Sequence, residues 1–183
     1  MRRLGFLLVA FAAFACAAAA ADNSLSLAAN KVFLATNAKQ PGVVVRPDGL
    51  QYRIIQSGFG KQPQPRDYVT VYYTGKLING TVFDGTEPGM PVRFRVDTLI
   101  SGWSEALQLM RVGDHWQVVV PSDLAYGEQG TPDGAIPPNQ TLVFDLELVK
   151  CVPPKLVPVK PDENPDKVDD NKDLGPDDDE DNQ

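Results

Sequence analysis

Residues 69–86 read VTVYYTGKLINGTVFDGT, two runs of alternating apolar residues on either side of an Asn79-Gly80 pair. Side chains two apart share one face of a strand, and Asn-Gly between two such runs is a strong short-range hairpin signal. A pair of antiparallel strands is therefore expected in the middle of the chain. A two-residue turn pairs Leu77 with Val82, Gly75 with Asp84 and Tyr73 with Thr86. Tyr73, Gly75, Leu77, Val82 and Asp84 then share a face with Val69 and Val71, so that face is the apolar one. The hairpin thereby points a carboxylate at an apolar, aromatic surface. A buried carboxylate is costly unless it is hydrogen-bonded. The Tyr73 hydroxyl lies diagonal to Asp84, within reach, and Gly75 opposite leaves room above it. The competing reading is that Asp84 caps a turn with Gly85 and Thr86.

The same period recurs along the chain. Leu50, Tyr52 and Ile54 alternate with Gln51 and Arg53; Val92, Phe94 and Val96 with Arg93 and Arg95; Leu142, Phe144, Leu146 and Leu148 with Thr141, Asp145 and Glu147. Strands of this kind pack on one side only. One helical stretch, SGWSEALQLMRVG, lies between them. Ser101 is placed to cap it, Gly113 lies just beyond its end, and Trp103, Ala106, Leu107 and Met110 form its apolar stripe. The expectation is an α+β domain, an antiparallel sheet wrapped on one short central helix.

The ends are of another character. Residues 1–21 open with a basic segment, continue through an apolar run from Leu4 to Ala20, and finish on Ala19-Ala20-Ala21, the pattern of a secretory leader. Cleavage before Cys16 with lipidation is the alternative reading; cleavage after Ala21 leaves Cys151 as a lone thiol, with no internal disulfide. Residues 22–45 form a short helical arm, with Leu25, Ala28, Ala29, Val32 and Phe33 at helical spacing and a stop at Pro41-Gly42. Residues 46–152 form the folded domain. Residues 153–183 are Pro-rich, then acidic, and read as a disordered tail. Its Asp169, Asn171, Asp173, Asp177 and Glu180 fit five positions of a calcium-loop pattern, but Leu174 holds the glycine position and no flanking helices are evident, so a solvated tail is expected.

Charge and residue types exclude several functions. The tail from Lys160 carries eleven acids against three lysines, while Asp22 to Val159 carries thirteen acids against twelve bases. A nearly neutral domain without a basic stripe does not suit nucleic acid. One histidine, His115 at a strand start, and one mature cysteine support neither a Ser/His triad nor a Cys/His zinc cluster. His115 reads as a surface or structural residue. No phosphate-binding loop follows a strand, and no cofactor or metal is expected.

Four segments, VTVYYTGKLINGTVFDGT, LISGWSEALQLMRVGDHW, VPSDLAYGEQG and AIPPNQTLVFDLELV, together resemble the FKBP-type peptidyl-prolyl isomerases, in family order and spacing over about residues 46–151. The entry segment FLATNAKQPGVVVRPDGLQYRII looks like the secreted bacterial branch, the macrophage infectivity potentiator type. The resemblance implies a curved antiparallel sheet around one short α-helix, with an apolar pocket between them. By position the catalytic set would be Tyr73, Asp84, Trp103 and Tyr126. The substrate- or macrolide-binding set would be Phe83, Val92, Leu99, Ile100, Ile136 and Phe144. Phe83 and Asp84 cannot share a face in a regular hairpin, so a bend or bulge is expected between them. Val92 stands where the best-known cytosolic members have phenylalanine, leaving a wider wall.

The implied activity is cis-trans isomerisation of X-Pro bonds in secreted or periplasmic proteins, without a covalent step. Trp103 would floor the proline ring, Tyr126 would offer a hydroxyl to the backbone, and Asp84 with Tyr73 would polarise one rim. Partners would be proline-containing polypeptides and macrolide inhibitors. The short arm implies a monomer, and no membrane span is expected because the apolar run of residues 4–20 is marginal for spanning and no second follows. A non-catalytic binding module or holdase chaperone using the same groove is the alternative.

Overall fold

The structure, a computed structural model, describes residues 23–154. The leader with Cys16 and the acidic tail with its calcium-loop pattern lie outside the described residues. The chain forms α1 (Leu27–Asn37), β1 (Val43–Val45), β2 (Gln51–Gln56), β3 (Tyr68–Leu77), β4 (Val82–Gly85), β5 (Val92–Arg95), α2 (Ser101–Leu109), β6 (His115–Val120) and β7 (Leu142–Val152). All pairings are antiparallel, in the order β1-β2-β6-β7-β3. β4 and β5 share the remaining edge of β3, β5 on its first half and β4 on its second. This is the expected α+β architecture, a curved sheet around one short helix.

Alternation decides which sheet face takes α2. Leu142, Phe144, Leu146 and Leu148 of β7 are buried with Val118 and Val120 of β6 and Val69 and Val71 of β3. Trp103, Ala106, Leu107 and Met110 of the α2 segment join that core. Each large apolar side chain so buried contributes about 1.5–3 kcal/mol. The first turn of α2 leaves no space for a side chain at Gly102, where a Cβ would overlap Val120 Cγ1. Ser101 does not cap α2: it is the first helical residue, and Ile100 holds the cap position. Ser104 Oγ instead ties the helix back, donating to Val96 O at 2.7 Å in the short 3-10 turn Val96–Thr98. Gly113 belongs to the turn before β6, at φ +95°, and donates to Leu148 O. β2 also departs from its pattern. Leu50 is buried and Tyr52 stacks on Trp116 with centroids 4.4 Å apart, but Ile54 is half exposed beside a register shift between Ile54 and Gln56.

The N-terminal helix docks differently from its expected apolar stripe. Val32 is 65% exposed, and the only buried residue of α1 is Asn30. The helix lies on the sheet face opposite α2; Leu25, just before it, packs against the core as expected, and amides hold the rest. Asn37 Nδ2 donates to Gln51 Oε1 at 2.8 Å, and Gln51 Nε2 donates to Leu34 O at 3.1 Å. Gln51 pairs with Val119, which is buried and alternates with Val118 and Val120. β1, which joins the sheet edge on β2, falls within the stretch read as an arm.

His115 opens β6, and its Nε2 lies 2.7 Å from Asp145 Oδ1 near the surface. Cys151 is partly buried; its thiol donates to Asp67 Oδ2 at 3.2 Å, and burial together with that carboxylate pushes it up to about 11. Among the described residues no helix is long and apolar enough to cross a membrane, and no cluster of acidic, histidine or cysteine side chains could hold a metal.

Candidate active site

A cavity of about 360 Å³ opens between α2 and the β3–β4 hairpin, lined by Tyr73, Phe83, Asp84, Phe94, Thr98, Leu99, Ile100, Trp103, Tyr126 and Phe144. The hairpin places its first wall through two register changes. The turn is not the two-residue one that the sequence suggests. Gly80 N donates to Leu77 O and Leu77 N to Thr81 O, both at 2.9 Å, giving a three-residue loop with Gly80 at φ +89°. That left-handed position suits glycine. Leu77 therefore faces Thr81, and Val82 faces Lys76. A bulge between Gly75 and Lys76 in the ladder then restores the expected pairing of Gly75 with Asp84 and Thr74 with Gly85. The extra residue is Phe83. Val82, expected inward, turns out and is 56% exposed, while Phe83 turns in. The bend expected between Phe83 and Asp84 is this bulge.

Gly75 makes room for the result. A Cβ there would sit 2.7 Å from Phe83 Cζ and 2.9 Å from Phe144 Cε1. Phe83 and Phe144 meet edge to face, with centroids 5.8 Å apart. Trp103 floors the cavity, only 4% exposed, with Tyr73, Phe94 and Phe144 standing at 83–90° to it. Such edge-to-face contacts add about 0.5–1.5 kcal/mol each beyond burial. The indole N–H of Trp103 is buried with no acceptor among the described residues.

Asp84 is on the rim and exposed, not buried as expected. Both of its proposed roles are present: Tyr73 Oη donates to Oδ2 at 2.6 Å, and its Oδ1 accepts from Gly85 N at 2.8 Å. Burial first, then the bond to Asp84, raise the Tyr73 phenol well above its ordinary value. Tyr126 reaches the rim from the loop between β6 and β7, also raised by burial and then by the Asp84 and Asp133 carboxylates. Both phenols stay protonated at neutral pH, and Tyr73 donates to Asp84. Ile100, the residue before α2, lines the same space, and its carbonyl accepts from Trp103 N and Ser104 N, both at 3.0 Å.

The structure thus brings together Tyr73, Phe83, Asp84, Leu99, Ile100, Trp103, Tyr126 and Phe144. Val92 and Ile136 are not in the lining. Val92 begins β5 at its free end, opposite Val71, and remains 39% exposed. Ile136 is 3% exposed in the core, its backbone bonded to Thr131 under the loop. Phe94 fills the wall instead, its ring 6.0 Å from Trp103 and 6.2 Å from Tyr73. Its only sequence signal is alternation with Arg93 and Arg95, which marks it as inward without separating cavity from core.

The sequence matches the family model for FKBP-type peptidyl-prolyl cis-trans isomerase over residues 60–149, and that for the domain amino terminal to this isomerase over residues 7–54. A crystal structure of a peptidyl-prolyl cis-trans isomerase from Pseudomonas syringae pv. tomato superposes with TM-score 0.65 at 40% identity, covering 69% of this chain and 92% of the other. The chain belongs to the FKBP-type peptidyl-prolyl isomerase family. Among other FKBP-type relatives, FkpA from Escherichia coli superposes with TM-score 0.66 at 42% identity, covering 69% of this chain and 59% of that one. The protein named outer membrane protein MIP of Legionella longbeachae is 54% identical over 118 residues, 64% of this chain and 50% of the relative. The peptidyl-prolyl cis-trans isomerase Mip of Coxiella burnetii is 47% identical over 121 residues, 66% and 52%. The chain spans about half the length of these two curated relatives.

Proposed function

We propose that this chain is a peptidyl-prolyl cis-trans isomerase that accelerates X-Pro rotation in polypeptides exported from the cytoplasm. The observation that carries the reading is an aromatic floor beneath a rim that carries three polar side chains, Tyr73, Asp84 and Tyr126. Amide resonance sets a rotational barrier of roughly 18–20 kcal/mol, and X-Pro isomers interconvert over ~10–100 s. No bond has to break. Twisting the amide removes its charge separation, so a dry apolar surface opposes the twisted form less than water does. Only groups that hold the twisted amide better than the planar one accelerate it.

In this reading the proline ring lies on Trp103 between Phe83, Phe94 and Phe144. The Tyr126 hydroxyl holds a backbone carbonyl at the rim, and Leu99 and Ile100 close the wall before α2. Asp84, its position fixed by Tyr73 and Gly85, polarises the rim and takes no proton. Macrolide inhibitors would enter the same cavity. Export to the periplasm rests on the leader-like residues 1–21 and on the name of the Legionella relative. A monomer rests on the short α1.

The test is relaxation of short X-Pro peptides with the full chain, beside Asp84→Ala, Trp103→Ala and Tyr126→Phe. A large acceleration, reduced in the folded variants, supports the reading. Wild-type rates in all three would reject the site. Binding of proline peptides without acceleration would turn the cavity into a holdase groove.

A further inference from the structure

The Tyr126 loop is connected to the N-terminal helix through an unbroken run of hydrogen bonds. Asn30 is 1% exposed. A buried amide is costly unless its donors and acceptor are used, and here they are. Nδ2 faces Leu25 O at 3.2 Å, Ser26 O at 3.0 Å and Gln140 Oε1 at 3.2 Å, and Oδ1 accepts from Thr141 N at 2.7 Å. Gln140, 4% exposed, passes the restraint on: its Nε2 donates to Leu25 O and to Pro138 O, both at 2.9 Å. Between Pro138 and Gln140 sits Asn139, held at φ +60°, a conformation that non-glycine residues seldom adopt. Its N–H donates to Gly127 O at 2.9 Å. Gly127 follows Tyr126, whose own carbonyl accepts from Gly130 N at 3.2 Å. The returning limb of the loop, 138–141, is thus clamped to α1 and in turn holds the limb that carries Tyr126.

We propose that Asn30 is a positioning residue for Tyr126, setting where that phenol stands over the cavity although it touches neither cavity nor substrate. The proposal rests on the reading of the cavity as the isomerase site. A second anchor on the same helix provides the control. Asn37 bonds Gln51 on β2, at the other end of α1 and away from the loop. A merely structural helix would feel the loss of either amide. A positioning role belongs to Asn30 alone.

The experiment uses the full chain with Asn30→Ala, Asn37→Ala, Tyr126→Phe and the Asn30→Ala/Tyr126→Phe double variant. It measures kcat/KM on an X-Pro peptide and amide hydrogen exchange at Gly127, Gly130 and Asn139. Asn30→Ala is expected to speed exchange at these three amides while β3 and β7 stay protected. It is expected to lower kcat/KM by up to roughly 100-fold, the scale for a contact group misplaced by about 1 Å. The double variant should be no slower than the slower single, because Asn30 acts through Tyr126. Asn37→Ala should leave both readouts near wild type. Additive losses, unchanged loop exchange in Asn30→Ala, or the same effect from Asn37→Ala would each overturn the proposal. If Asn30→Ala does not fold, Gln140→Ala cuts the same connection from the loop side and is held to the same outcomes. A wild-type chain without isomerase activity would remove the isomerase reading, and loop exchange alone would then decide the role of Asn30.

Discussion

Tyr73 Oη and Asp84 Oδ2, 2.6 Å apart, form an exposed polar contact at the cavity rim, and its small energetic weight makes it a clean probe. Tyr73→Phe keeps the ring against Trp103 and removes one hydrogen bond. The expected stability loss is about 0.5–1.5 kcal/mol, with a larger proportional fall in kcat/KM; an unchanged kcat/KM would show that Asp84 needs no fixing. Gly75 is the opposite case. Gly75→Ala sets a methyl into the Phe83 and Phe144 rings, and is expected to cost about 1–3 kcal/mol and to weaken binding of proline peptides, as read by chemical denaturation and titration. Asp67 reports on pH. Burial alone would raise its carboxyl, but bonds from Lys61, the Gln64 N–H and Cys151 hold it below its ordinary value. A depressed folded pKa gives a contribution complete above the ordinary carboxylate value of about 4, and lost as pH falls through the folded one. The Tm gap between wild type and Asp67→Asn should therefore narrow as pH drops below about 4. A gap constant with pH would mean that the charge contributes nothing.

At the scale of elements, α2 makes the sharpest prediction. Gly102→Ala would drive a methyl into Val120, and the helix would have to lift from β6. The expected cost is about 1–3 kcal/mol, against the stabilisation that Gly→Ala gives in an open helix; equal or higher stability would show that the helix–sheet contact yields. The elements also show what was legible in the sequence. Period-two alternation placed β3 and β7 because both are central and packed on one face. It failed at Ile54, where the β2–β6 register shifts and the side chain stays half exposed. In the hairpin the Asn-Gly signal marked the turn but not its length. Two offsets of opposite sign left Gly75–Asp84 in register and exchanged Val82 for Phe83 at the wall. No local propensity separates these alternatives; the space above Gly75, visible only in three dimensions, accepts the ring. The α1 stripe misled for a related reason. Apolar spacing says which residues could be buried, whereas here an amide met partners more than a hundred residues away.

For the whole molecule, the central pair β3 and β7 joins residues 68–77 to 142–152, and α1 covers the face opposite α2. Deleting residues 23–42 should strip the partners from Gln51, Gln140 and Thr141, all buried. Each buried polar group left unsatisfied costs about 1–3 kcal/mol. Such a chain is expected to melt at a markedly lower temperature than the full chain, and an unchanged Tm would show that water replaces α1 without loss. The amide anchor also orders events in time. Asn30 is made early, yet its partners lie 110 and 111 residues further on. At synthesis rates of roughly 5–20 residues per second, α1 waits on the order of 5–20 s before a seat exists for it. Until then its buried amide is merely hydrated. Leu27 and Val32 stay 50% and 65% exposed even after docking, so what the wait delays is the pairing of amides and not the covering of those side chains.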